Sequence, residues 1–150
     1  MNVKQAVPFF AVSNIAQSIR FYVDGLGFTM TKQWVDGDQL RWCWLECGGA
    51  ALMLQEFKQT ECCSPVIGPG GVTVYFVCAD ALGIYHEVES RGLKVQQPFV
   101  GNGMWVTELV DPDGYRIAFE SPTNETEESI HVCQSPTSPP NLENSEHVEK

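Results

Sequence analysis

The sequence is poor in basic residues and has no long apolar run. Only nine lysines and arginines stand against 19 aspartates and glutamates in 150 residues, giving a formal charge of −10. Because nucleic-acid binding needs clustered basic side chains to meet phosphates, this balance argues against DNA or RNA as a partner. No apolar run approaches the ~20 residues that span a bilayer, and no basic-then-apolar leader opens the chain. We therefore expect a cytoplasmic protein that is not inserted in a membrane.

Histidine is scarce, and the cysteines are not spaced as metal ligands. There are three histidines, two of them in the last 20 residues, and the six cysteines form no CxxC pair. Such spacing is typical neither of a disulfide framework nor of a zinc site. The sequence therefore predicts no metal or other cofactor.

The last 30 residues differ in composition from the rest. They carry six of the acidic residues and one basic residue, and they are rich in Ser, Pro, Asn and Glu. A segment without an apolar period cannot bury enough surface to offset the entropy of ordering it. We predict one domain over residues 1–121 and a disordered acidic tail over 122–150, with a docking peptide as the alternative interpretation of the tail.

A repeat is present within the predicted domain. Shifted by 66 residues, "VPFFAVSNIAQSIRFY" at 7–22 lies over "TVYFVCADALGIYHEV" at 73–88. Each copy begins with a strand-like run that ends at Asn14 or Asp80, residue types that favour a helix N-cap. A helical apolar period follows, and each helix ends at a glycine, in "DGLGF" and "RGLKV".

Three predicted strands follow each helix and are joined by turn residues. They cover 29–35, 41–47 and 51–55 in the first copy, and 94–100, 104–110 and 115–120 in the second. The sequence thus predicts an α+β fold of two βαβββ units, at about 5–56 and 71–121, with an irregular connection between them.

Three motifs carry a resemblance to a known family: "FYVDGLGF" at 21–28, "VTVYFVCAD" at 72–80 and "ELVDPDGYRIAFE" at 108–120. In their order and duplicated spacing they resemble the vicinal oxygen chelate superfamily. That superfamily includes glyoxalase I, extradiol dioxygenases, and fosfomycin- and bleomycin-resistance proteins. The resemblance implies that the two units form a curled mixed sheet, a cup that holds the ligand.

The resemblance also implies four metal-ligand positions, which fall on Val7, Met53, Thr73 and Ala118. Enzymes of the family generally have His, Glu or Gln there. Valine and alanine have no donor atom, and neither a thioether nor a lone hydroxyl is a good ligand for a catalytic divalent ion. We therefore expect a metal-independent protein that is not an enzyme.

Aromatic residues dominate the candidate ligand site. Trp42 and Trp44 alternate along one strand with Glu46, so all three project from one face, where flat rings beside a carboxylate suit an aromatic or cationic ligand. A role in the core or in a dimer contact is the alternative for these tryptophans. The full set of predicted ligand-binding residues is Phe9, Trp42, Trp44, Glu46, Met53, Tyr75, Trp105 and Glu108.

Among the branches of the superfamily, the chain is most similar to bleomycin-resistance proteins. That similarity implies a homodimer that confers antibiotic resistance by sequestering a cationic antibiotic. Two alternatives stay open. One is a glyoxalase-like lyase or isomerase, or a dioxygenase-like enzyme, with unusual metal ligands or with acid–base chemistry from Glu46, Glu108 or Glu120. The other is a structural module that binds no ligand.

Overall fold

A computed structural model describes residues 2–57 and 71–132. The first unit comprises β1 (Phe9–Val12), α1 (Ile15–Ile19), β2 (Thr29–Asp36), β3 (Gln39–Cys47) and β4 (Ala50–Glu56); the second comprises β5 (Thr73–Val77), α2 (Ala81–Ser90), β6 (Phe99–Gly101), β7 (Met104–Val110) and β8 (Arg116–Pro122). The predicted duplicated α+β fold is confirmed.

Each unit forms its own four-stranded mixed sheet. The strand orders are β1-β4-β3-β2 and β5-β8-β7-β6, so the two sheets have the same topology. The first strand of each unit lies parallel to the last, and the other pairs are antiparallel. The strands β1 and β5 are therefore sheet edges within their units.

Both predicted helix starts are confirmed. The Asn14 side chain accepts a hydrogen bond from the Gln17 backbone N–H at 3.0 Å, and Asp80 accepts from the Gly83 N–H at 2.9 Å. Each cap satisfies a backbone donor that the first helical turn leaves unpaired. The first helix then widens into a π-helix over residues 20–25 before the chain enters β2.

The strand predictions hold to within two residues except at β6. The segment 94–100 was predicted to be one strand, but β6 covers only Phe99–Gly101. The fully buried Pro98 directly precedes it and has no N–H to donate to a neighbouring strand. The predicted strand is therefore longer than the paired segment, and the proline marks where the pairing begins.

The side chains that face the helices form the core. The strand alternation predicts that Leu52, Leu54, Ile117 and Phe119 pack towards the helices, and all four are buried there. Alternate residues on the same strands lie on the other side, which we call the open face of each sheet.

The chain remains hydrogen-bonded beyond residue 121. Residues 123–132 run back along β6, where the Val100 N–H donates to the Ser129 carbonyl at 2.9 Å and the His131 N–H donates to the Pro98 carbonyl at 2.8 Å. The Glu127 carboxylate also accepts from the backbone N–H groups of Asn102 and Gly103. These hydrogen bonds attach residues 123–132 to the second unit. The rest of the predicted tail, 133–150, and most of the connection, 58–70, lie outside the described residues.

The two units contact each other through their helix-side residues. The Tyr22 hydroxyl donates to the Asp111 carboxylate at 2.9 Å, and the Arg91 guanidinium donates to the Gly25 carbonyl at 3.0 Å. Burial is the main cause that raises the pKa of Asp111, and the donors Tyr115, Tyr22 and Asp113 oppose it.

None of the described helices is long and apolar enough to cross a bilayer.

Candidate ligand-binding face

Three tryptophans lie together on the open face of the first unit. Strand β3 supplies Trp42 and Trp44, and the neighbouring β2 supplies Trp34, which is directly paired with Trp42. Trp34 remains 52% exposed, whereas the other two are half-buried. We call this surface, with Lys32, Glu46 and Met53, the tryptophan face.

Two charged groups hold Trp44 in place. Its indole N–H donates to a Glu46 carboxylate oxygen at 2.7 Å, and the Lys32 ammonium lies 4.7 Å from the centre of its ring. The attraction between a cation and an aromatic ring therefore acts here within the protein. One side of Trp44 and part of the Glu46 carboxylate are thus already engaged.

Phe9 and Met53 extend the same surface towards β1. Met53 pairs with Trp44 on one side and with Phe9 on the other, so the three side chains share one face across three strands. Phe9 is 45% exposed, and its ring meets Phe57 edge-on with centroids 6.3 Å apart. The structure thus brings five of the predicted residues together: Phe9, Trp42, Trp44, Glu46 and Met53.

A buried, uncharged cysteine lies directly behind the tryptophan face. Between Trp42 and Trp44, on the opposite side of β3, Cys43 is fully buried. Burial raises the pKa of its thiol to about 11, so the group stays protonated at neutral pH. Cys43 therefore acts as a small apolar core residue behind the tryptophans.

The open face of the second unit is different in chemistry. Tyr75 and Glu108 both pair with Ala118, one from each side, so these predicted residues flank the alanine. The Arg116 guanidinium lies 3.4 Å from the Glu108 carboxylate. Ala118 is fully buried beneath these neighbours, while Tyr75 is 51% exposed.

Trp105 is separated from the other predicted residues. It pairs with Ser121, whose hydroxyl accepts from the Ala81 N–H at the start of α2, so this side of β7 faces the helix. Its ring lies 6.0 Å from that of His131, in the segment that follows β8. Glu108 lies on the opposite side of the same strand, because the two residues differ by an odd number of positions.

The four positions that correspond to the family's metal ligands do not form a donor set. Met53 is half-buried among Phe9 and Trp44, and Ala118 lies between Tyr75 and Glu108. Val7 and Ala118 have no donor, so at most a thioether and the Thr73 hydroxyl remain, which do not suit a hard divalent ion. Within residues 2–57 and 71–132, no three His, Cys, Asp or Glu side chains are grouped to hold a metal.

Lys32 and Trp34 were not among the predicted site residues. Their spacing by two positions indicates that they share a face, but which face depends on a register shift between Trp34 and Val35. That shift is a β-bulge, which the sequence of the turn does not reveal. The alternation of Lys32 and Trp34 along β2 is the sequence signal that could have identified them as residues of one face.

The family is established by comparison with known proteins. Residues 4–119 match the family model described as the Glyoxalase/Bleomycin resistance protein/Dioxygenase superfamily. The duplicated βαβββ fold agrees with that match. The chain therefore belongs to this superfamily, and the resemblance inferred from the three motifs is confirmed. None of the curated proteins matches the chain.

Solved structures share the fold at low sequence identity. TnmS3, an antibiotic-binding protein from Streptomyces sp. CB03234, is 21% identical with a TM-score of 0.61, and the match covers 82% of this chain and 100% of that one. TioX from Micromonospora sp. ML1 is 17% identical with a TM-score of 0.65, over 79% and 98% of the two chains. The virulence protein STM3117 from Salmonella typhimurium is 21% identical with a TM-score of 0.59, over 80% and 98%.

Proposed function

We propose that the tryptophan face binds a small aromatic or cationic organic molecule, without a metal and without chemical conversion. The observation that carries this proposal is the grouping of Trp34, Trp42 and Trp44 on one partly exposed sheet surface. Rigid indole rings offer large contact areas at a low entropic cost, and monomeric proteins seldom leave such a surface unused.

The charges on this face favour stacking over ion pairing. Glu46 already accepts a hydrogen bond from Trp44, and Lys32 lies against the ring of that residue. A cationic ligand would compete with Lys32 for the ring of Trp44. In the described contacts, no cation lies against the exposed ring of Trp34. A flat aromatic group stacked near Trp34 and Trp42 therefore agrees best with the geometry, and a basic group of the ligand would lie towards Glu46.

Sequestration of an antibiotic is the biological role that we propose. TnmS3, which shares the fold, is described as an antibiotic-binding protein. The poor donor set at Val7, Met53, Thr73 and Ala118 supports binding without metal chemistry.

We further propose that the protein is a cytoplasmic homodimer. Besides Trp34 and Phe9, the open faces expose Tyr75 at 51% and Val77 at 73%. Contact with a second copy would remove part of this apolar surface from water. Free Cys43, Cys47 and Cys78 suit a reducing compartment. Light scattering coupled to gel filtration should give twice the 16.7 kDa mass of one chain.

Fluorescence titration tests the binding site. Metal-free bleomycin should quench tryptophan emission in a saturable way, and Trp42→Phe and Trp44→Phe should each weaken its binding. Trp105→Phe is the matched control, since that ring lies on the helix side of the other sheet. Equal affinity in all four proteins would overturn the assignment of the face.

Metal analysis tests the enzymatic alternative. We expect no stoichiometric nickel, zinc, manganese or iron in protein purified without chelators. One tightly bound ion per chain would contradict the proposed metal-independent binding and would favour an enzyme with unusual ligands.

A further inference from the structure

The duplicated fold places two equivalent junctions between the units, and in the described part of the chain a side chain fills one of them and leaves a cavity at the other. At each junction, the turn before the last strand of one unit approaches the free edge of the other unit's first strand. Equivalent positions can be read from the strand register. Phe10 pairs with Leu54 and Phe76 pairs with Phe119, so Phe76 is the counterpart of Phe10.

The junction at β1 is filled by a tyrosine. The Tyr115 ring stacks on Phe10 with centroids 4.2 Å apart and an interplanar angle of 11°. Its hydroxyl donates to the Ala11 carbonyl at 3.0 Å, which satisfies an acceptor on the edge of β1. Next to it, Asp113 accepts from the Ser13 N–H at 3.1 Å.

The junction at β5 has a small residue in the same place. Tyr115 is the residue before β8, and the residue that begins β4, Ala50, is its counterpart in the first unit. The turn there is the short pair Gly48-Gly49, and a side chain added to either glycine would meet no atom within 4 Å. Neither a ring nor a hydroxyl therefore reaches β5 from this turn.

A cavity of about 470 Å³ lies at this second junction. The rings of Phe28, Phe76 and Phe119 line it from one side, and Gly49 and Ala50 line it from the turn. Its volume is within the range of small-molecule sites. Among the described residues that line it, none carries a charge.

At the edge of this cavity lies a backbone acceptor that no described strand pairs with. Cys78 donates its N–H to the Glu120 carbonyl, so in the alternating pattern of parallel pairing Val77 directs its own carbonyl away from β8. Ala11 has the corresponding orientation on β1, where Tyr115 meets it. The described strands include no second neighbour of β5, and Val77 is among the residues that line the cavity.

We propose that this cavity is a second ligand site, which takes a neutral phenol of one or two rings. The ligand's ring would occupy the position that Tyr115 holds at the other junction, against Phe76. Its hydroxyl would donate to the Val77 carbonyl oxygen, as the Tyr115 hydroxyl does to Ala11. An uncharged ligand is favoured because none of the described residues that line the cavity carries a charge that could pair with one. This site is separate from the tryptophan face and does not depend on the function proposed for it.

Ligand-observed ¹⁹F NMR with 4-fluorophenol tests the proposal. The wild-type protein should bind the probe in the cavity, and Ala50→Tyr should abolish this part of the binding because the new side chain would fill the cavity as Tyr115 fills the other junction. Fluorobenzene, which lacks the hydroxyl, should bind about fivefold to tenfold more weakly than 4-fluorophenol, since one hydrogen bond is lost. Ala50→Ser is the matched control and should bind like the wild type.

Two further measurements separate the outcomes. Nuclear Overhauser effects between 4-fluorophenol and the Ile84 methyl groups, which also line the cavity, locate the probe in the wild-type protein. This measurement decides the question even if Ala50→Tyr fails to fold. Trp42→Phe should leave the Overhauser effects between the probe and Ile84 unchanged, since no tryptophan lines the cavity among the described residues. An undiminished contact with Ile84 in folded Ala50→Tyr, equal affinity of the cavity for fluorobenzene, or no contact with Ile84 in the wild type would each overturn the proposal.

Discussion

The two units have the same strand order and the same capped helices, but they differ in the side chains on their open faces and in one turn. The first unit has three tryptophans on its open face, whereas the second has Ala118 beneath an Arg116–Glu108 ion pair. The first has a two-glycine turn before its last strand, and the second has the "DPDGY" turn that reaches across to β1. The shared features are those that build a βαβββ unit. The features that differ are those that can bind a ligand or fasten one unit to the other.

The largest expected effect comes from emptying the filled junction. Tyr115→Ala removes the ring that stacks on Phe10 and the hydroxyl that meets Ala11. We expect the free energy of unfolding to fall by about 3 kcal/mol, because a large aromatic side chain is lost from a packed contact. Urea denaturation measures this loss.

The matched control separates the ring from the hydroxyl. Tyr115→Phe keeps the stacking and loses only the hydrogen bond, so it should cost about 1 kcal/mol. If Tyr115→Ala were as stable as the wild type, the Tyr115 side chain would not stabilise the junction at β1. The predicted difference in energy between the two junctions would then be wrong.

The buried contact between Tyr22 and Asp111 should come next. Tyr22→Phe leaves a carboxylate oxygen without its donor at a site where Asp111 is only 4% exposed. We expect a loss of about 2 kcal/mol at neutral pH, the usual penalty for an unpaired buried acceptor. Urea denaturation at several pH values measures it.

The pH dependence follows from the raised pKa of Asp111. A carboxyl whose pKa is higher in the folded than in the unfolded state binds its proton more tightly when folded, so its contribution to stability is greatest below the unfolded pKa and declines as the pH rises through the folded one. Tyr22→Phe removes a donor that lowers this pKa, so the pKa of Asp111 in the folded variant should be higher still. The loss in free energy of unfolding caused by Tyr22→Phe should therefore grow with pH over the same interval. Asp111→Asn has no such titration, and subtracting its pH profile from that of the wild type should isolate this decline. An increase with pH in that difference would contradict the prediction.

A smaller effect should come from the segment that covers β6. Glu127→Ala removes the carboxylate that accepts from the Asn102 and Gly103 N–H groups. We expect a loss of about 1 kcal/mol in the free energy of unfolding. Glu127→Gln keeps an acceptor and should lose less. Equal losses would show that charge, and not the acceptor, stabilises this turn.

The smallest effect is expected on the tryptophan face. Lys32→Gln removes a solvated cation from the half-buried ring of Trp44, so the free energy of unfolding should fall by only about 0.5 kcal/mol. Binding should respond more clearly, because a cationic aromatic ligand would no longer compete with Lys32 for Trp44. Lys94→Gln, in the second unit, is the control. Weaker binding of a cationic ligand to Lys32→Gln would contradict the charge argument.

Local rules account for most of the fold. Asn14 and Asp80 cap their helices as their residue types predict, and the buried Leu52 and Ile117 follow from strand alternation. The same rules overextended β6, because they joined the mostly polar residues 94–97 to the apolar Phe99 and Val100 across the buried Pro98. Composition likewise did not reveal that residues 123–132 bond to β6, since those bonds are made by the backbone and not by an apolar side-chain pattern.

Strand alternation by itself predicted the candidate site only along β3, whereas Phe9 and Met53 were added with the help of the family resemblance. Trp42, Trp44 and Glu46 alternate, so their common face could be read directly. Trp105 has the same residue type but lies on the helix side of β7. Its odd spacing from Glu108 indicates that the two residues lie on opposite faces, but not which of them faces the helix. Trp34 joins the face because of the bulge beside Val35; with regular pairing from the Gly37-Asp38 turn it would lie opposite Arg41 and face the helix.

By itself the sequence determined the duplicated βαβββ topology, the superfamily and the absence of suitable donors at Val7 and Ala118, because these depend on residue types and on spacings within one element. Tertiary structure alone decided which tryptophans meet, where Lys32 lies, and why one junction is filled by Tyr115 while the other keeps a cavity beside Ala50. Those outcomes depend on strand register and on contacts between residues about 100 positions apart, such as Phe10 and Tyr115. Local preferences do not encode such contacts, which form only when the two units pack together.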